Sequence, residues 1–210
     1  MKSRKIVPIT FVSIFIFLFF SCWTPKVSQK TCSRLLMGEG VKNWSELYEF
    51  FMANNPLADK KQVERLAKYY IEESLAEGVN SDVAFVQMCH ETGFLRYGNL
   101  VTADMNNFCG LGAMDWNHRG ERFETEQLGV RAHVQHLQAY GTKEDVALKR
   151  DLVDPRYPWV HKTKFVEDVF GLTGTWATDP DYGTKLDNFL TRLENENWKI
   201  EDEEIEEQEI

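Results

Sequence analysis

Residues 81–112 run SDVAFVQMCHETGFLRYGNLVTADMNNFCGLG, and the rest of the chain is organised around them. Ser81 is placed to cap a helix that carries Val83, Val86, Gln87 and His90 at helical spacing and ends at Gly93. The following stretch gathers Gly and Asn and cannot continue that helix. Glu91 therefore falls in the last turn, where the carbonyl end of a helix disfavours negative charge. Burial against Phe94 or Phe108 would act in the same direction, so the carboxyl should hold its proton above the ordinary carboxylate range. Such a carboxyl suits general acid catalysis. The competing reading is a solvated Glu that merely closes a helix.

The motifs around it decide between these readings. His90-Glu91-Thr92-Gly93-Phe94, followed by Asn106-Asn107-Phe108-Cys109-Gly110-Leu111-Gly112, resembles the acid motif and asparagine-phenylalanine-glycine turn of bacterial endo-β-N-acetylglucosaminidases, glycoside hydrolase family 73. The resemblance continues through Gly129-Val130-Arg131-Ala132-His133, His136-Leu137, Val153-Asp154-Pro155-Arg156-Tyr157 and Gly174-Thr175-Trp176-Ala177-Thr178-Asp179-Pro180-Asp181-Tyr182-Gly183. Several motifs in order are far more specific than any one.

The resemblance implies a mainly α, lysozyme-like domain with a small β-hairpin lobe beside an active-site cleft. It implies a peptidoglycan hydrolase with Glu91 as general acid, cutting β-1,4 bonds on the reducing side of N-acetylglucosamine without a cofactor. Asn107, Phe108 and Tyr182 are then candidate cleft residues: an amide and a phenol to hold hydroxyl or acetamido groups, and a ring to lie beneath a sugar face. The family often has Tyr where this chain has Trp176, which becomes a further substrate-contact candidate.

An inverting glycosidase needs a second carboxylate ~6.5–9.5 Å from the acid, whereas substrate assistance uses the sugar's own 2-acetamido oxygen. Asp104, Asp115, Glu121, Glu124 and Glu126 are the acids of the proposed lobe and its exit. Glu121 is the candidate, because Gly120-Glu121-Arg122-Phe123 falls where related sequences carry glycine-glutamate-x-phenylalanine before the next helix. Its competing reading is a solvated charge paired with Arg119 or Arg122.

The remaining chain fits one exported domain. Lys2, Arg4 and Lys5 precede an apolar run from Ile9 to Phe20 and then Ser21-Cys22, which reads as a signal peptide over residues 1–21. The small residue before cysteine resembles a lipobox, with Cys22 lipidated, although Phe19 and Phe20 are bulkier than that pattern prefers. An uncleaved anchor is the alternative. Residues 22–42 read as a linker, 43–198 as the catalytic domain and 199–210 as a disordered acidic tail. The expected location is the cell envelope, with a lipid anchor holding the domain to a membrane facing the periplasm or cell surface.

Export removes three cations and takes the formal charge from -9 to -12. With no basic stripe to neutralise phosphates, nucleic acid is excluded as a partner, and glycan strands need none.

Helical stripes appear at Trp44, Leu47, Tyr48 and Phe51, and at Val63, Leu66, Ala67, Tyr70, Ile71 and Leu75 behind Asp59 and Gln62 as a capping box, ended by Gly78. They return at Val130, Val134 and Leu137 after Thr125, and at Tyr182, Leu186, Phe189 and Leu193 behind Asp179-Pro180. Tyr157 and Trp159 face sugars or anchor their loop to the core.

Three rivals remain. His133 and His136 share a helix face, but the five histidines form no complete metal-ligand set, so no metal is assigned. A cysteine peptidase would use Cys89 with His133 or His136, against the handicap that a helix C-terminus raises a thiol pKa. A glycan-binding lipoprotein without turnover is the non-enzymatic reading. Cys89 and Cys109 either bridge the acid helix to the next turn or stay as buried thiols.

Overall fold

The structure, a computed structural model, describes residues 31–143 and 146–195. The expected signal peptide, the lipidation candidate Cys22, the first part of the expected linker and the acidic tail lie outside the described residues.

Helix α1 (Trp44–Asn54) begins with a reciprocal cap: the Asn43 side chain accepts from the Ser45 and Glu46 amides while Glu46 accepts from the Asn43 amide. Asp59 caps α2 (Lys60–Glu77), which stops at left-handed Gly78. The buried arc of α2 runs through Val63, Leu66, Tyr70, Ser74 and Glu77, so Leu75 falls off it and is exposed. Trp44 also points outward, and the Lys68 ammonium covers its ring at 4.3 Å.

Helix α3 (Ser81–Thr92) is the centre of the molecule. Its cap is Asn80 rather than Ser81: the Asn80 side chain accepts from the Asp82 amide at 3.1 Å, and Ser81 is already helical. The expected single apolar face is also absent, because residues 81–89 are buried all round. α3 is enclosed by α1, α2, α4 (Glu126–Gly141) and α6 (Tyr182–Asn195). A helix with neighbours on every side cannot show amphipathic spacing.

From residue 31 onward the presumed linker is part of this packing. Asp82 accepts from the Val41 and Lys42 amides, Leu35 and Met37 bridge to Asp168 and Val79, and Cys32 and Leu36 are buried. Arg34 fastens the segment to α6 through Asp187, Thr191 and Glu194. Polar residues at intervals disguise these buried positions as linker composition.

Beyond α3 the chain forms a loop, a 3-10 turn at Ala103–Met105 and an antiparallel hairpin of β1 (Ala113–Asp115) and β2 (His118–Arg119), the expected lobe. Thr125 caps α4, and the short α5 (Tyr157–Thr163) packs on it. α6 starts at Tyr182; Asp179 instead shapes the preceding turn by accepting from the Asp181 amide.

Gly129 sets how closely the lobe approaches α4. A Cβ at this position would sit 1.7 Å from the Asn106 carbonyl oxygen, so only glycine lets the Asn106–Phe108 turn lie on the helix. Gly129→Ala is therefore expected to lose roughly 2 kcal/mol or more by overpacking, read as a lower urea midpoint, with cleavage activity falling as the turn is pushed away.

Candidate active site

Glu91 owes its position to the way α3 ends. Gly93 is left-handed (φ 56°), its amide bonds to the His90 carbonyl, and the Phe94 amide bonds to the Cys89 carbonyl at 2.8 Å. This paired closure stops the helix one residue beyond the acid. Phe94, Leu95 and Tyr97 are left-handed as well, a strained run for residues with side chains. It is held by Phe94 packing on Phe51 and Phe189, by Asn55 donating to the Phe94 carbonyl, and by Thr92, which accepts from the Leu95 and Tyr97 amides through its hydroxyl and carbonyl respectively.

Glu91 is half-buried at the wall of a cavity of about 270 Å³, shared with Tyr97, Leu100, Val101, Gly110 and Trp176. Its Oε1 accepts from Trp176 Nε1 at 3.0 Å and from the Tyr182 hydroxyl. Oε2 is turned toward Gly110, where a Cβ would lie 3.9 Å away. Burial raises the Glu91 pKa above the usual carboxylate value, and the bonds from Tyr182 and Trp176 pull in the opposite direction. Neither Phe94 nor Phe108 lines the cavity; both belong to the core.

Behind Tyr182 a line of polar side chains crosses the core. The Gln87 amide nitrogen donates to the Tyr182 hydroxyl at 2.8 Å, and Gln87 Oε1 meets His133 Nε2 at 3.0 Å. A carbonyl oxygen only accepts, so His133 carries its hydrogen on Nε2, and Nδ1 accepts from the Tyr70 hydroxyl at 2.8 Å. His133 is neutral, its pKa pushed down to about 3, first by burial and then by His136. All four donors point toward Glu91.

The other expected cleft residues divide between the cavity, the support of Glu91 and the core. Asn107 touches the cavity wall, but its amide is fully engaged, donating to the Leu111 and Glu121 carbonyls and accepting from the Cys109 and Leu111 amides. Phe108 is 1% exposed and packs in the core. Tyr182 is 2% exposed and reaches the acid instead of the cavity. Tyr157 is buried, donates to Gln138 at 2.5 Å and stacks on His161; its neighbour Trp159 is exposed. Trp176 both lines the cavity and holds Glu91.

Glu121 is half-buried against Gly112, its Oε1 3.1 Å from where a Cβ would stand. It does not line the cavity of Glu91. Nor does it pair with its arginines: Arg119 donates to the Leu100 carbonyl, and Arg122 to Asp104. Asp104 and Glu126 are committed to Arg122 and Arg65, and Asp115 to its own hairpin turn.

A cysteine nucleophile does not fit. Cys89 is fully buried with its thiol pushed well up, both ring nitrogens of His133 are taken, and His136 Nδ1 is bonded to Asp154 at 2.7 Å. Cys32, Cys89 and Cys109 are all free thiols. Among the described residues no group of three His, Cys, Asp or Glu side chains could hold a metal ion.

Tyr97 was absent from the sequence-based candidates. Its hydroxyl is buried without a hydrogen-bond partner, and burial pushes its pKa up to about 12. A tyrosine in the Gly-containing stretch directly after a candidate acid was the available signal.

A mainly helical domain with a hairpin lobe and one half-buried carboxyl at a cavity between them is consistent with a lysozyme-like glycoside hydrolase. The sequence model of the Glucosaminidase family, described as mannosyl-glycoprotein endo-beta-N-acetylglucosaminidase, matches residues 67–195, and the chain belongs to that family. It is also 38% identical over 158 residues to an uncharacterized protein of Borreliella burgdorferi, covering 75% of this chain and 76% of that one. No solved structure matched the chain.

The raised Glu91 pKa has a definite sign for catalysis. A proton for acid catalysis is present below the folded pKa and lost as pH rises through it, so a general acid at Glu91 would set the alkaline limb of the pH–rate profile. Tyr182→Phe removes a bond that lowers this pKa. The limb is expected to move to higher pH in Tyr182→Phe, measured as kcat/KM against pH.

Proposed function

We propose that the protein hydrolyses peptidoglycan, cutting the β-1,4 bond on the reducing side of N-acetylglucosamine with Glu91 as general acid. The observation that carries this reading is the Glu91 carboxyl itself: protonation is favoured by burial, Oε1 is held by Trp176 and Tyr182, and Oε2 is left on the cavity side. Oε2 is then the oxygen that delivers the proton to the departing glycosidic oxygen. Trp176 offers an aromatic wall for a sugar face.

Glu121 is our candidate for the second carboxylate. It is supported by its half-burial on the Gly110–Gly112 turn beside Glu91 and by the absence of an ion-pair partner among the described residues. Purified peptidoglycan digested with the protein, reduced with borohydride and analysed by mass should show new N-acetylglucosaminitol ends. Glu91→Gln should abolish these ends while binding persists, and Glu121→Gln should lose at least about a hundredfold in turnover, with azide rescuing Glu121→Ala. A Glu121→Gln enzyme within about tenfold of wild type, together with inhibition by a thiazoline, would assign the second role to the substrate's acetamido group.

Export as a lipoprotein belongs to the same reading and is supported by the sequence of residues 1–22. Cys22→Ala is expected to release the protein from membranes or leave an unprocessed precursor, read by fractionation and intact mass. Unchanged partitioning and mass would remove the anchor.

A further inference from the structure

A second cavity of about 220 Å³ adjoins the one at Glu91. Cys109, Gly110, Ala113 and Trp176 border both, so the two are chambers of one groove sharing a wall. Their chemistry differs. The second chamber has no carboxylate in its lining and two cations, Arg156 and Lys164. Between these lies the exposed ring of Trp159, 5.8 Å from the Arg156 guanidinium carbon and 5.7 Å from the Lys164 ammonium.

Neither cation forms an ion pair with an acid among the described residues. The acid nearest Arg156 in sequence, Asp154, is fully buried and already bonded to His136 Nδ1 at 2.7 Å and to the Arg156 amide at 2.8 Å. In a chain of formal charge -9, two uncompensated cations around one indole stand out against their surroundings.

The segment that carries them is firmly docked. Gln135 accepts from the Val153 and Asp154 amides, and Tyr157 donates to Gln138, so α4 fixes the chain on both sides of Arg156. The guanidinium is thereby presented from a rigid support, and a planar fork on a rigid support matches a carboxylate. A chamber built for neutral sugar alone would have no use for two unneutralised cations.

We infer that this second chamber binds the carboxylates of a short acidic peptide attached to the sugar next to the one seated at Glu91. The inference rests on the peptidoglycan reading. In such strands every second sugar bears a lactyl-linked peptide, so N-acetylglucosamine at Glu91 has a peptide-bearing neighbour on each side. Arg156 and Lys164 take the carboxylates, and Trp159 packs on the aliphatic parts of the peptide. The enzyme therefore distinguishes peptide-bearing strands from bare ones.

The test uses glycan strands of equal length with their peptides intact or removed by an amidase. Binding is measured with Glu91→Gln protein and cleavage with wild type. The expected result is about a tenfold preference for peptide-bearing strands at low salt, shrinking as ionic strength rises. Adding Arg156→Ala and Lys164→Ala together should bring the ratio close to one, with an unchanged melting temperature showing that the fold is intact. Equal affinity for both strands, or a preference that survives the double substitution, overturns the chamber assignment and leaves the glycosidase reading standing. Failure to bind or cleave either strand overturns both.

Discussion

Two donors meet on one oxygen of Glu91, and the surrounding structure is arranged to bring them there. Trp176 Nε1 arrives from the turn before α6, and the Tyr182 hydroxyl from its first residue. Both depend on close backbone approaches. Trp176 is held by its amide bond to the Leu172 carbonyl, and Gly183 lets α6 lie where a Cβ would be 2.6 Å from the Phe170 Cα. Tyr182 is oriented in turn by Gln87, Gln87 by His133 and His133 by Tyr70. Each member of this line is buried and satisfied, so removing one leaves its neighbour unpaired in a low dielectric, and the line acts as a unit.

Helix α4 supplies much of this order and explains the motif Gly129-Val130-Arg131-Ala132-His133 residue by residue. Gly129 admits the Asn106–Phe108 turn, and Val130 fills the core. Arg131 pairs with fully buried Glu73 at 3.0 Å and ties α4 to α2. Ala132 packs with Cys109 and Leu111 under the cavity wall, and His133 joins the polar line. A little further on, Gln135, His136 and Gln138 anchor the loop that carries Arg156 and Trp159. One helix thus positions the acid's support on one side and the second chamber on the other.

The parts legible in the sequence are those governed by local rules. Caps at Asp59 and Thr125, stops at Gly78 and Gly93, and the hairpin before α4 all depend on neighbours a few residues away. The helix end placed Glu91, but it was the motifs His90-Glu91-Thr92-Gly93-Phe94 and Asn106–Gly112 around it that singled it out as a candidate acid. What sequence spacing could not reveal is the direction of side chains whose partners are distant. Tyr182 and Gln87 are 95 positions apart, and Asn107 looks the same on paper whether its amide faces a sugar or four backbone groups. The same holds for residues 31–42, whose burial comes from contacts with α3, α6 and Asp168.

A general acid must lose its proton and later regain it, so holding it tightly is not enough. Burial alone would favour the protonated form without limit and make the carboxylate left after transfer costly. The donors on Oε1 act on that second state: Tyr182 and Trp176 hold the anion and leave the neutral form comparatively unhelped. Because both bonds fall on Oε1, Oε2 is the oxygen left to exchange the proton in the proposed role. The neutral His133 adds no competing charge to this balance, since burial keeps it unprotonated across the range in which Glu91 titrates. Desolvation and two fixed hydrogen bonds, opposed in sign, therefore suit the half-buried Glu91 carboxyl to the proposed role, in which it must both release and regain a proton.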